Sequence, residues 1–232
     1  MRRSPSPRNP RFWLAASIGA AGLALVIAST AGRAAREQTG AITGRIDVTN
    51  RDSDGGIVVY LEDVPEKRRH GPAATHTIHQ KDKQFVPQVT AVRRGDTVGF
   101  PNEDKIFHNV FSVSRAARFD LGLYKSGTSK SVALKRPGVV DVYCNIHPEM
   151  VAKIKVVDTS YYATTGADGR FRIEGVPPGT YPIVAWQPHG KEHRGTVRVT
   201  RGKTAEVKVE LEAGKQPRRH LRKDGTPYGR YE

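Results

Sequence analysis

Cysteine is almost absent from this chain: Cys144 is the only one in 232 residues. An internal disulfide is excluded, and with it the small disulfide-stapled scaffolds. In an oxidising compartment a lone thiol tends to be lost or put to use, and metal ligation is one use. Methionine is as scarce, Met150 being the only one besides the initiator. Helical periodicity is missing as well, since no stretch repeats apolar residues as an amphipathic helix would. No nucleophile with its base, and no substrate pocket, can be read from the chain. Acidic residues are outnumbered, 23 against 38 lysines and arginines, for a formal net charge of +15. No stripe of stacking aromatics interleaves these basic residues, so nucleic acid is not an expected partner.

The charge is unevenly placed. Residues 1–31 supply +4 and residues 213–232 another +4, leaving +7 on the body. Such an excess would steer the protein toward a partner with an acidic docking surface or toward an anionic membrane. Arg2, Arg3, Arg8 and Arg11 precede an uncharged apolar run, residues 12–31, that ends on Ser29-Thr30-Ala31. A basic start, an apolar run and small residues at its end predict a signal peptide. The run is also about as long as a membrane span, so an N-terminal anchor through residues 12–31 is the other reading. Either one predicts an exported, periplasmic or extracytoplasmic protein.

Beyond the leader the pattern is short strands and turns. Ile42, Gly44, Ile46 and Val48 alternate with polar neighbours, and Ile57–Leu61 is a compact apolar run; together they read as a hairpin. Residues 63–75, charged and carrying prolines, read as a connector. Strands are then expected around Phe85, Val89 and Val92, at Thr97–Phe100, and through Phe111 and Val113. A polar excursion follows over 114–128, then strands at Val132–Leu134, Val139–Cys144 and Val151–Val157. A second β unit runs through Phe171, Ile173 and Trp186 to Val197, Val199, Val207, Val209 and Leu211. Residues 213–232 lack apolar periodicity and are basic, which predicts a disordered tail. His70, His76, His79, His189 and His193 read as solvated polar residues.

The two scarce residues lie together in Cys144-Asn145-Ile146-His147-Pro148-Glu149-Met150, at Cys-x2-His-x2-Met spacing. Alone, each has a plain structural explanation: a small buried hydrophobe, a surface histidine, core filler. Together with His108 upstream they make two imidazoles, a thiolate and a thioether, the ligand set of a trigonal copper site with a weak axial methionine. Period-2 alternation puts Val140, Val142 and Cys144 on one strand face and Tyr143 on the other.

These residues carry a resemblance. F-P-N-E-D-K-I-F-H-N-V, with V-Y-C-N-I-H-P-E-M, resembles the cupredoxins, small blue copper proteins of the plastocyanin and amicyanin type. The resemblance covers about His76 to Asp158 and implies one type 1 copper ion held by His108, Cys144, His147 and, axially, Met150. It implies that Asn109 ties the ligand loops together, that electrons pass at the His147 edge near Ile146, Phe107 and Pro148, and that Tyr143 is a second route. The turns D-G-R-F and P-G-T-Y, with the opening T-G-R-I, resemble the carboxypeptidase regulatory-like, transthyretin-type sandwich. Exported cupredoxins with such units include chains labelled methylamine-utilisation proteins.

The expected fold is all-β, a cupredoxin Greek-key sandwich or barrel plus a second small β-sandwich. The copper unit, 74–158, is either inserted into a sandwich made of 40–63 and 159–212 or in tandem with it. The resemblance implies a one-electron carrier and not an enzyme, because the His-x-His and His-Cys-His signatures of multicopper enzymes are missing. Copper delivery or storage, and an extracellular binding or scaffold role with a structural metal, are the competing readings.

Overall fold

The computed structural model describes residues 39–50, 55–65, 72–215 and 220–228. The leader, residues 1–31, lies outside them; among the described residues no helix is long and apolar enough to cross a membrane. Among the described residues, seventeen strands carry the architecture.

The first two strands differ in burial. β1 (Gly40–Thr49) alternates, with Ile42, Ile46 and Val48 inward. β2 (Val58–Leu61) is buried at every position, so both of its faces are covered.

The next ten strands are β3 (Thr75–Thr77), β4 (His79–Lys81), β5 (Gln84–Val86), β6 (Val89–Arg93), β7 (Thr97–Pro101), β8 (His108–Val113), β9 (Arg118–Tyr124), β10 (Ser129–Ala133), β11 (Gly138–Tyr143) and β12 (Val151–Val157). They form a five-stranded sheet, β6-β12-β11-β8-β9, a three-stranded sheet, β10-β7-β3, and the hairpin β4-β5. β6 pairs parallel to β12 and β3 parallel to β7, a mixed pairing that simple hairpins do not produce. Val92, Val110, Val140, Val142 and Ile154 from the larger sheet share a core with Val98 and Phe100 from the smaller and Phe85 from the hairpin. The expected excursion over 114–128 contains β9, a sheet-edge strand that takes seven of its fifteen residues. Phe119 and Leu121 turn toward the core while Arg118 and Asp120 face out, an alternation too short and polar to stand out in the sequence.

The turn before β7 is built on a buried carboxylate. Asp96, 1% exposed, accepts hydrogen bonds from the amides of Ala74 (2.9 Å) and Arg93 (3.1 Å) and pairs with His76 Nε2 (2.9 Å). His76, expected to be solvated, thereby pins the start of β3 to this turn.

The last strands, β13 (Tyr162–Thr164), β14 (Arg170–Val176), β15 (Gly179–Trp186), β16 (His193–Val199) and β17 (Thr204–Glu212), pair with the first two. β1 lies between β14, antiparallel, and β17, parallel, in the sheet β14-β1-β17. β2 lies between β13 and β15 in β13-β2-β15-β16. The expected β1–β2 hairpin does not form; the two strands belong to different sheets, and Ile42, Ile57, Phe171, Ile183, Val197 and Leu211 share the core they build. Gly44 lets β1 sit this close, since a Cβ there would lie 2.2 Å from the Val207 carbonyl oxygen and 2.6 Å from the Phe171 ring.

The outer face of β2 explains its full burial. Val58 and Tyr60, with Val184 and Trp186 of β15, pack against Ala91 and Val157 of the five-stranded sheet. The Lys155 ammonium lies 5.4 Å from the Tyr60 ring and 5.3 Å from the Trp186 ring. Burial holds this amine below the usual lysine value. Lys155→Ala is expected to lower the unfolding free energy by about 1–2 kcal/mol, the worth of a partly desolvated cation–π contact. Urea denaturation checks this, and an unchanged midpoint would mean that the rings and the cation contribute nothing.

A further correction concerns the disordered tail expected over 213–232. Residues 220–228 are folded against the five-stranded sheet: Tyr228 is buried, and the His220 ring stacks on Tyr143 with centroids 4.2 Å apart. Isolated aromatic anchors do this without any periodicity to betray them. Residues 216–219 and 229–232 lie outside the described set.

Candidate metal centre

The loop after β7 is organised by one side chain. Asn102, 1% exposed, donates from Nδ2 to the carbonyls of Ile106 (2.8 Å) and Tyr124 (3.2 Å), and its Oδ1 accepts the Asp104 amide (3.0 Å). These bonds hold the turn and deliver His108, fully buried, as the first residue of β8. The Asp104 carboxylate takes three donors: His108 Nε2 at 2.8 Å and the amides of Asp82 (2.7 Å) and Lys83 (2.9 Å). An ionised carboxylate only accepts, so Nε2 carries a proton and Nδ1 of the neutral ring is left with its lone pair inward.

The second loop begins where β11 ends. The Cys144 amide donates to the Met150 carbonyl (3.2 Å) and the Met150 amide to the His147 carbonyl (3.1 Å), closing the loop on itself. Its three candidate ligands are thereby held on one short segment. Cys144 Sγ lies 3.7 Å from His147 Nδ1 and 4.0 Å from His108 Nδ1, and the two Nδ1 atoms are 3.2 Å apart. Cys144 and Met150 are both fully buried in the same core, whereas His147 is half-buried and reaches the surface.

The electrostatics follow from this convergence. Burial pushes the Cys144 thiol up, but His108 and the amides of Asn109, Ile146 and His147 outweigh it and hold the thiol below its usual value. For His108, burial acts downward, and the thiol and Asp104 carry it above the ordinary imidazole value. His147 is held low, first by burial and then by His108.

Two imidazole Nδ1 atoms and a sulfur, all within 4.8 Å of one another, are spaced as donors that share one small ion at bond lengths of about 2.0–2.3 Å. Thiolate, imidazole and thioether are soft or borderline donors; hard cations take oxygen, and here the Asp104 carboxylate is spent on His108. The residues therefore fit copper. Among the described residues this is the only such His, Cys and carboxylate cluster.

The other expected residues are placed as follows. Asn109 faces Cys144 with its backbone amide, while its side chain donates to Asp120 on β9 (2.8 Å). Phe107 is 54% exposed and Pro148 half-buried. Tyr143 lies between Phe111, with ring centroids 5.7 Å apart, and His220. Asn102 and Asp104 were not among the expected site residues; an Asn-x-Asp turn four residues before a ligand histidine is the signal that points to them. Nothing in the tail's sequence marks His220 or Tyr228.

The carboxypeptidase regulatory-like domain family matches residues 149–212. No curated protein matches. Among solved structures, a Cu(I) amicyanin variant is similar at 20% identity and a TM-score of 0.34, over 43% of this chain and 98% of its own. A purple cupredoxin from Nitrosopumilus maritimus is similar at 22% identity and a TM-score of 0.31, over 36% of this chain and 99% of its own. A copper-containing nitrite reductase from Thermus scotoductus SA-01 is similar at 21% identity and a TM-score of 0.35, over 48% of this chain and 28% of its own.

Proposed function

We propose that the chain is an exported type 1 copper protein that carries single electrons between partner proteins and turns over no substrate. The convergence of His108 Nδ1, His147 Nδ1 and Cys144 Sγ in a buried pocket carries this reading. His108, Cys144 and His147 would hold the ion, with Met150 as a fourth, weaker donor. The bound ion would supply a one-electron couple, Cu(II)/Cu(I).

The protein's part is to keep the site the same shape in both states. Cys144 gives up its thiol proton on ligation, and the Asn109, Ile146 and His147 amides stabilise the resulting sulfur charge. Asp104 fixes the tautomer and orientation of His108. Full burial of Cys144, His108 and Met150 keeps water out, so little solvent has to reorganise around a changed charge. His147, half-buried, offers the short route to a partner, Ile106 and Phe107 just before His108 are exposed, and the basic body favours a partner with an acidic face.

The pairing of β1 with β14 and β17, and of β2 with β13 and β15, supports reading the copper unit, 74–158, as an insertion into a sandwich of 40–63 and 159–212. For that sandwich we propose a scaffold role. The basic start and apolar run support export.

The test is a Cu(II) titration of the chain lacking residues 1–31, with Cys144→Ser beside it. An intense thiolate-to-copper band at one equivalent, bleached by reductant, restored by oxidant and absent from the variant, is the expected result. Copper bound equally well by Cys144→Ser would overturn the reading. Copper lost rapidly to a chelator without reversible cycling would favour delivery or storage instead.

A further inference from the structure

Residues 220–228 form a small structure of their own. The Arg222 amide donates to the Thr226 carbonyl (2.9 Å) and the Gly225 amide to the Arg222 carbonyl (2.9 Å). Asp224 Oδ1 accepts the Thr226 amide (2.9 Å) and hydroxyl (2.6 Å), and Gly225 sits at φ +82°, where a side chain would be strained. A turn stabilised from within loses less entropy when it docks than a free chain would.

It docks on the ligand loop. The Tyr228 hydroxyl donates to the carbonyl of Cys144 itself (2.6 Å). The Lys223 amide donates to Asn145 Oδ1 (3.0 Å), and the Lys223 ammonium pairs at 2.8 Å with Asp120, the carboxylate that also takes the Asn109 side chain. Both residues that follow the ligands, Asn109 after His108 and Asn145 after Cys144, are thus connected to this segment. On its other flank His220 lies nearly parallel to Tyr143, at 21°, with Tyr228 edge-on to His220 at 5.1 Å. The Nε2 of His220 is buried and makes no hydrogen bond among the described residues, while Nδ1 bonds within the segment, to the Leu221 carbonyl (2.8 Å) and, at 3.5 Å, the Tyr228 hydroxyl; the ring's contact with Tyr143 is the stack.

We propose that residues 220–228 are a clasp on the metal centre. Tyr228 is a positioning residue that fixes the Cys144 peptide from outside, and His220 occupies the outer face of Tyr143, leaving the His147 edge as the face open to a partner. The first half rests on the copper reading for its purpose, but the clasp itself does not need the metal.

Its test is therefore made on the full chain without metal as well as with it. In the metal-free protein, Tyr228→Phe is expected to speed modification of Cys144 by a small aromatic disulfide about fivefold to tenfold, since losing one hydrogen bond makes local opening easier. With copper, the same variant is expected to shift the thiolate-to-copper band and the reduction potential while leaving the thermal midpoint nearly unchanged. His220→Ala is expected to raise the solvent accessibility of Tyr143, and His220→Phe, which keeps a ring on the stack, to restore the parent value. Parent reactivity and an unmoved band in both Tyr228→Phe and Tyr228→Ala would overturn the proposal. Amide exchange on the unsubstituted chain is the second measurement: protection at Arg222, Lys223 and Gly225 is expected, and exchange at unstructured-chain rates would overturn it. Protected amides and a faster thiol without any copper band would leave the clasp standing and remove the copper reading. A copper band with unprotected 220–228 would do the reverse.

Discussion

Copper affinity is expected to fall about 10–100-fold when Asp104 is replaced by alanine, the usual cost of deleting a group that orients a metal-bound histidine. The carboxylate makes no direct contribution to the donor triangle. It keeps the proton on His108 Nε2 and so the lone pair on Nδ1, and it satisfies the amides of Asp82 and Lys83. Those two residues both sit at positive φ, 53° and 56°, as the two-residue turn of the β4–β5 hairpin requires. Removing the carboxylate therefore frees the ring to rotate and releases a turn that only just tolerates its residues. Competition against a chelator of known affinity reads the loss, and Asp104→Asn, which keeps an acceptor oxygen, should fall between the two. Equal affinity in all three chains would mean that packing alone orients His108.

The second large effect concerns stability. Asp96→Ala is expected to cost about 3–5 kcal/mol, the cost of breaking a buried, hydrogen-bonded ionic group by removing one partner. The side chain is 2% exposed, and its loss strands the amides of Ala74 and Arg93 and takes the acceptor from His76 and the Arg93 guanidinium. The same carboxyl predicts an acid limb. Burial pushes it up, but the hydrogen bonds from His76, Ala74 and Arg93, and then the Arg93 charge, outweigh burial and hold it below its ordinary value. A depressed carboxyl contributes its stabilisation in full above its unfolded value, near pH 4, and loses it as the pH falls through the lower folded value. Below about pH 4 the parent chain should lose stability more steeply than Asp96→Asn does. Parallel pH profiles for the two would remove Asp96 as the source.

The Cys144–Met150 loop was legible as a candidate metal loop because its chemistry is concentrated. One cysteine, one internal methionine and a histidine at fixed spacing after an alternating strand leave little else to fit, and the structure gathers His108, Cys144 and His147 into one cluster. Asp104 and Asn102 escaped because their roles come from a turn, not from a period. β9 escaped for a different reason: Phe119 and Leu121 are the inward residues of an edge strand whose neighbours are charged or glycine, which reads as loop. The supposed β1–β2 hairpin rested on the tendency of consecutive strands to pair. The contrary sign was in Ile57–Leu61 itself, an uninterrupted apolar run that needs cover on both faces and so cannot lie against water. The tail was the hardest, because single anchors at His220 and Tyr228 act through contacts with residues far away in the chain.

The parallel ladder between β1 and β17 links Ala41 to Thr204 and Thr49 to Glu212. During synthesis β1 emerges among the first of these strands and must wait for its final neighbour until the far end of the chain has been made. The ligand-bearing sheets between them need no such delay, since strands β3–β12 pair among themselves. Assembly is thus ordered in time, with the loops that carry His108, Cys144 and His147 in place before the sandwich can shut. A stalled or clipped nascent chain would keep those loops while leaving β1 and β2 as unpaired, apolar edges, the kind of surface through which unfinished proteins aggregate.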